Sequence, residues 1–292
     1  MILIKMLKQT LIMMLICTGI LSAQGRFDNV EIKTTHVRGN IYMLEGKGGN
    51  IGVCAGEDGI LIIDDQFAEL ADKIKAALKE INPGELKFLL NTHVHGDHIG
   101  GNSIFGKVAT IIAHDNIRNR MIDKFKEDST AQGKNGWPVI TFDKSLTVHF
   151  NNETIEVMHF PKGHTDGDAV IYFKDANIVH MGDHMFSGLF PYIDINSGGS
   201  VDGYIKNVDA VLAQVNDSTM IIPGHGPLST KKELTVFSHM LHKTTKLIRD
   251  MKSSGMTSDE IAAEGLGDEW KSFDWGFIPT ERWIETIYSS TK

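Results

Sequence analysis

Cysteine is nearly absent from this 292-residue chain, which has only Cys17 and Cys54. Proline is scarce as well, at 7, and no Ser/Pro-rich linker, low-complexity tract or repeat divides the sequence. Positive charge is in deficit, with 29 Lys and Arg against 37 Asp and Glu and a formal charge of −8. An acidic surface repels phosphate backbones, so nucleic acid is excluded as an expected partner. Long hydrophobic runs are missing too, with one exception. Lys5 and Lys8 precede an apolar stretch from Leu11 to Leu21 that ends in Leu21-Ser22-Ala23. That stretch is short for a bilayer span and is broken by Thr18 and Gly19. It reads as a cleavable secretory signal over residues 1–23, which implies export to the periplasm and no stable membrane anchor after cleavage. Cleavage would remove two lysines, leaving 27 bases against 37 acids, or −10. Cys54 would then stand alone, so no internal disulfide is possible even in an oxidising compartment.

What remains, 41% hydrophobic and 23% charged with 29 Gly, is the composition of an ordinary folded domain. Residues 24–292 are expected to form one domain, stabilised by its core, with bound metal as a further source of stability. Ile41–Leu44, Ile51–Cys54 and Ile60–Ile63 read as strands, parted by the glycine-rich Gly46–Asn50 and the turn Asp58-Gly59. Phe67–Ile81 has helical apolar spacing and stops at Asn82-Pro83-Gly84. A buried strand, Phe88–Leu90, follows, then a strand at Val108–Ala113 and a helix over Asn116–Phe125 capped by Asp115. Leu146–Phe150 and Thr154–His159 form a hairpin across Asn151-Asn152, with further strands at Val170–Phe173 and Ile178–Met181. Helices are expected over Val201–Ala213, Lys231–Met251 and the segment after Thr257, where Thr257-Ser258-Asp259-Glu260 matches a capping box. This interleaving predicts an α/β fold with sheets packed between helical layers.

The 13 histidines are not scattered. The densest group, Thr92-His93-Val94-His95-Gly96-Asp97-His98, directly follows the apolar strand Phe88–Leu90. In extended backbone, residues two apart face the same side, so His93 and His95 can converge on one ion while Gly96 lets the chain turn. Asp97 and His98 then reach a neighbouring position. Such a group is costly to desolvate empty, and a divalent metal offsets that cost. Three more strand-end motifs follow: Gly163-His164-Thr165-Asp166-Gly167-Asp168, His180-Met181-Gly182-Asp183-His184 and Pro223-Gly224-His225-Gly226. Each brings a glycine and a potential ligand to the end of a short apolar strand, as expected of loops that share a site at a sheet edge. His36, His114, His149, His159, His180, His239 and His242 read as packing or surface residues.

In this order the motifs resemble the metallo-β-lactamase superfamily, from about Val37 to Pro227. The resemblance implies an αββα sandwich of two mixed β-sheets between helical layers, with C-terminal helices over 228–292. It also implies a dinuclear zinc site at one edge of the paired sheets. Carried over by position, His93, His95 and His164 would hold one zinc, Asp97, His98 and His225 the second, and Asp183 would bridge them. Because the donors are all nitrogen and oxygen, iron or manganese in one position stays open. Two adjacent cations lower the pKa of a bound water to roughly 7, so hydroxide is available to attack a carbonyl. Asp97 is then expected to orient the hydroxide, and Asp64, Asp65 and Asp168 to support the ligand loops by hydrogen bonding, with simple capping as the alternative.

A small-molecule substrate is expected. Gly46–Asn50 reads as a flexible flap over the metals, and His184–Tyr192 as an apolar and aromatic wall, so Asn50, His184 and Tyr192 are the candidate substrate contacts. Together with export, these features suit a β-lactam amide. A bridging Asp183, however, looks more like glyoxalase II and lactonase relatives, and Asp183–Ser200 contains no lysine or arginine to hold a β-lactam carboxylate. A glyoxalase II-like thioesterase or lactonase is therefore the alternative, and a non-catalytic metal-binding protein the alternative of another class. Gly265–Phe277, with Trp270 and Trp275, either packs on the core or lines an entrance.

Overall fold

The computed structural model describes residue 25 and residues 27–290. The signal-peptide reading of residues 1–23 lies outside the described residues. A short unit ends at Val30, and its described residues form a turn in which the Gly25 amide donates to the Asp28 carboxylate at 2.7 Å. The body begins at Glu31. No helix among the described residues is long and apolar enough to cross a membrane.

Two mixed sheets make up the body. The first has 7 strands in chain order: β1 (Lys33–Arg38), β2 (Ile41–Glu45), β3 (Ile51–Gly56), β4 (Gly59–Ile63), β5 (Leu86–Leu90), β6 (Thr110–His114) and β7 (Ile140–Phe142). Pairing is antiparallel from β1 to β4 and parallel from β4 to β7. The second sheet has 6 strands: β8 (Ser145–Phe150), β9 (Glu153–His159), β10 (Ala169–Phe173), β11 (Ile178–Phe186), β12 (Met220–His225) and β13 (Ser229–Thr230). Its order is β13-β12-β11-β10-β9-β8, and β11 and β12 are its parallel pair.

Side-chain alternation decides what each sheet face buries. Leu61 and Ile63 of β4 meet Ile155, Val157, Ile171 and Phe173 of β9 and β10 in a core between the sheets. The alternate residues Val170, Tyr172, Val179 and Met181 face a second core, covered by α5 (Val201–Gln214), α6 (Lys231–Ser253), α7 (Ser258–Glu264) and α8 (Thr280–Ser290). Earlier in the chain lie α1 (Ala71–Ile81), α2 (Gly96–Ile99), α3 (Asn102–Phe105) and α4 (Asp115–Glu127). Helix α4 packs Ile117 and Met121 against Ala113 of β6, and α1 buries Ile74, Ala77 and Leu78. Because both faces of each sheet are covered, β4 and β10 are buried at every position. The result is the αββα sandwich, with each fully buried Ile, Leu or Phe worth about 1.5–3 kcal/mol.

Several element readings need adjustment. The cap of α4 is His114, whose Nδ1 accepts from the Asn116 amide at 3.2 Å, and Asp115 is the first helical residue. His114 can accept there because its Nε2 donates to the Asp143 carbonyl. The Thr257 capping box is present, and Thr230 with Glu233 forms another at the start of α6. Strands β1 and β7 escape a hydrophobicity reading because they are edge strands exposed along much of their length.

Candidate metal centre

Strand β5 ends at Leu90, and the chain leaves it through Asn91 and Thr92 to deliver His93 and His95; α2 then carries Asp97 and His98. Asp64, just past the end of the neighbouring parallel strand β4, fixes this loop. Its carboxylate accepts from the Thr92 amide at 2.8 Å, from Thr92 Oγ1 at 2.6 Å and from His98 Nδ1 at 2.7 Å. Asp64 is fully buried and has a φ of +63°, a left-handed conformation that a non-glycine residue adopts only under surrounding constraint.

Asp183 arrives from the second sheet on an irregular strand. The pairing of β11 with β12 shifts register on both sides of Gly182, whose φ is +50°. A Cβ on Gly182 would lie 2.8 Å from Thr92 Cβ, so only glycine lets β11 approach the histidine loop this closely. On β12, a Cβ at Gly224 would lie 2.1 Å from Asp183 Oδ1; glycine there makes room for the carboxylate.

The assembled groups form two sets that share Asp183. Its Oδ2 lies 3.3 Å from His164 Nε2 and 3.6 Å from His93 Nε2, and His164 Nε2 is 2.8 Å from His95 Nδ1. Its Oδ1 lies 3.0 Å from His98 Nε2 and 3.5 Å from His225 Nε2, and Asp97 Oδ2 is 3.3 Å from His225 Nε2. Grouped by reach, His93, His95, His164 and Asp183 could hold one ion, and Asp97, His98 and His225 another.

The hydrogen bonds on the outer side of these rings fix which nitrogens point inward. His164 Nδ1 donates to the Tyr192 carbonyl at 2.7 Å, and His95 Nε2 donates to Asp194 at 3.0 Å. In the neutral rings, His164 Nε2 and His95 Nδ1 therefore direct lone pairs at each other, a contact that a cation between them relieves. His93 Nε2 is buried with no hydrogen-bond partner, so leaving it without an ion would cost its desolvation. Burial holds the His164 imidazole down at about 4 and that of His93 well below its usual range, so both are neutral donors at neutral pH. Burial likewise opposes charge on His225, but Asp183 and Asp97 outweigh it and push the ring up to about 9. A pocket with that preference for positive charge suits a divalent cation.

Comparison with known proteins agrees with this architecture. The family model described as the metallo-beta-lactamase superfamily matches residues 35–225. The chain belongs to the metallo-beta-lactamase superfamily. Among its relatives is "Probable metallo-hydrolase YqgX" of Bacillus subtilis, 30% identical over 164 residues, which are 53% of this chain and 75% of that protein. Another is "Probable hydroxyacylglutathione hydrolase glo2" of Schizosaccharomyces pombe, 27% identical over 247 residues, covering 79% of this chain and 84% of the relative. A solved metallo-beta-lactamase from Pontibacter korlensis shares the fold with a TM-score of 0.61 at 16% identity, over 73% of this chain and 99% of that one. The superfamily and its hydrolase members support a metal-dependent hydrolase acting on a small molecule.

Around this superfamily site the remaining candidates fall differently. Asn50 is buried, and its amide Nδ2 is spent on the carbonyls of Pro223 and Gly226, so it ties the β2–β3 loop to the end of β12. His184 is also buried, stacked on Tyr204 with Nε2 3.2 Å from Asn207 Nδ2; it faces the helical core, not the site opening. Burial pulls its imidazole down to about 3. Tyr192 is partly exposed, with its ring 5.6 Å from that of His95. Of the three carboxylates expected to support the ligand loops, only Asp64 touches a ligand ring. Asp65 accepts from the Gly101 amide, and Asp168 from Thr165, one residue beyond His164; both brace backbone and touch no candidate ligand. The loop read as a flap is pinned, with the Gly49 amide on the Asp97 carbonyl at 3.0 Å and the Gly49 carbonyl accepting from Gln66 at 2.8 Å.

Asp194, the partner of His95, lies outside the motifs that the sequence marks. The signal that the sequence offers is a polar, glycine-ended turn, Asp194-Ile195-Asn196-Ser197-Gly198, just beyond the His184–Tyr192 wall. Trp270 packs in the core, whereas Trp275 lies 6.3 Å from the His225 ring, so Gly265–Phe277 takes both roles that its sequence left open.

Proposed function

We propose that this chain is a dinuclear metal-dependent hydrolase that opens the acyl bond of a carbonyl compound, with two zinc ions as the expected occupants. The observation that carries this reading is the division of the Asp183 carboxylate, one oxygen toward His93 and His164 and the other toward His98 and His225. His93, His95, His164 and Asp183 would hold one ion, and Asp97, His98, His225 and Asp183 the other. Bound there, the ions supply Lewis acidity and an activated water. The chain supplies the rest. Asp64 and Asp194 hold His98 and His95 in the tautomers that turn a lone pair inward. Asp97 is half-buried, and His98 and His225 outweigh its loss of solvent and hold its carboxyl down at about 2. Such a group is ionised at neutral pH and a weak base, so it orients the attacking water by accepting a hydrogen bond instead of taking its proton. Phe186, stacked on His225 at 5.0 Å, and Tyr192 exclude bulk water from one side.

Within this class, a β-lactam amide is the first substrate to test, on the strength of the aromatic wall. A thioester or lactone is the second reading, favoured by the bridging position of Asp183. The test is a panel of a chromogenic cephalosporin, an acyl thioester and a γ-lactone, run on metal-loaded protein with elemental analysis of the same sample. Two zinc per chain and turnover of at least one substrate, lost on chelation and in His95→Ala, are expected. Protein that holds no ion, or holds two and turns over nothing in the panel, would overturn the reading.

A further inference from the structure

One side of the cluster is bounded by a run of aromatic rings that connects its two sets. Tyr192 lies 5.6 Å from His95, Phe277 5.6 Å from Tyr192, and Trp275 5.6 Å from Phe277 and 6.3 Å from His225. Trp275 is anchored by its indole N–H on the Phe190 carbonyl at 2.9 Å. Phe277 is 50% exposed and Ile195, beside Asp194, is 46% exposed, so the rim presents large apolar side chains to solvent beside the polar His/Asp cluster.

Arg282, in the first turn of α8, stands over this rim. Its guanidinium carbon is 4.6 Å from the Phe277 ring centre and 5.1 Å from that of Tyr192. Nη1 donates to the Phe277 carbonyl at 2.8 Å, which fixes the direction of the fork. Among the described residues it has no carboxylate partner, although acids outnumber bases 37 to 29 and both Arg120 and Arg249 face an aspartate. A planar guanidinium held by stacking, with donors to spare, is pre-organised for bidentate binding of a carboxylate. The segment Asp183–Ser200 has no cation of its own; this one comes from the far end of the chain.

We propose that Arg282 is a specificity-determining residue that binds the carboxylate of an acyl substrate. The apolar stem of that substrate lies along Tyr192 and Phe277, and its scissile carbonyl reaches the His/Asp cluster. The inference rests on the hydrolase reading and narrows it to acid-bearing acyl compounds, a class that includes β-lactams. Tyr192 links the two ends, 5.1 Å from the Arg282 guanidinium carbon and 5.6 Å from the His95 ring.

Two matched pairs of probes test it on the metal-loaded protein. For turnover, mono-4-nitrophenyl adipate is compared with 4-nitrophenyl hexanoate in wild type, Arg282→Gln, Arg282→Lys and, as a remote loss of positive charge, Lys271→Gln. Arg282→Gln should raise KM for the adipate about tenfold with kcat within twofold, and leave the hexanoate unchanged. Arg282→Lys should recover part of the loss, and Lys271→Gln should behave as wild type. For binding without turnover, tryptophan fluorescence is titrated with 4-phenylbutyrate and 4-phenylbutanol. The acid should bind wild type about tenfold more tightly than Arg282→Gln, while the alcohol binds both alike. Equal affinity of wild type and Arg282→Gln for the acid, or no binding of the acid to wild type, overturns the proposal. If neither ester is hydrolysed, the hydrolase reading fails for such esters and the titration alone decides the role of Arg282.

Discussion

Single atoms do unusual work around Asp64. One carboxylate holds the amide and hydroxyl of Thr92 and the Nδ1 of His98, so loop position and imidazole tautomer are set by the same side chain. An asparagine in its place would turn an N–H toward one of three donors. Asp64→Asn is therefore expected to weaken metal binding 10–100-fold, roughly the cost of losing a hydrogen-bonded support of a ligand histidine. Competition with a chromophoric zinc chelator measures this. Asp65→Asn is the contrasting variant: Asp65 is fully buried, burial pushes its carboxyl well above the usual range, and it touches no ligand ring. Its affinity should stay within a few-fold of wild type; an equal loss in both variants would show that loop disturbance, not the bond to His98, governs affinity.

At the scale of elements, the strand ends matter more than the strands. The parallel pairs β4–β5 and β11–β12 place Asp64, the histidine loop, Asp183 and His225 at the same edge. The irregularity at Gly182 lets one edge meet the other. Gly182→Ala would combine a left-handed φ with a Cβ only 2.8 Å from Thr92, and should cost about 1–3 kcal/mol while displacing Asp183. Gly188 separates the two effects, because its φ is +72° but a Cβ there meets nothing within 4 Å. Urea unfolding should show a loss in both variants, larger for Gly182→Ala, with metal affinity reduced only in Gly182→Ala. Retention of full affinity by Gly182→Ala would show that β11 can relax without moving its carboxylate.

Over the whole molecule, the cluster joins both sheets. His93, His95, Asp97 and His98 follow the first, while His164, Asp183 and His225 belong to the second or its loops. An ion held by both sets binds only when the sandwich is closed, so it stabilises the native state by mass action, by about 4 kcal/mol when free metal exceeds Kd a thousandfold. Thermal unfolding should accordingly shift to lower temperature on treatment with chelator and recover with added zinc. A midpoint that is indifferent to metal would mean that the two sheets reach their arrangement without the ion linking them.

The sequence by itself marked the candidate ligands and the layers. The spacing His-x-His-x-Asp-His is local, and an extended turn after a buried strand can present those side chains in only a few ways. The apolar runs likewise marked most strands, because strands covered on both faces must be hydrophobic throughout. Tertiary structure alone decided the surroundings of the site. Asn50 and His184 have the chemistry of substrate contacts, yet folding gives them structural partners, the carbonyls of Pro223 and Gly226 in one case and the Tyr204 ring in the other. Asp194 and Arg282 carry no local mark, and they acquire a role only where folding brings them to His95 and Tyr192. Ligand motifs are short-range because geometry at an ion is strict, whereas the walls of a pocket are assembled from whatever distant segments the core packing brings to its edge.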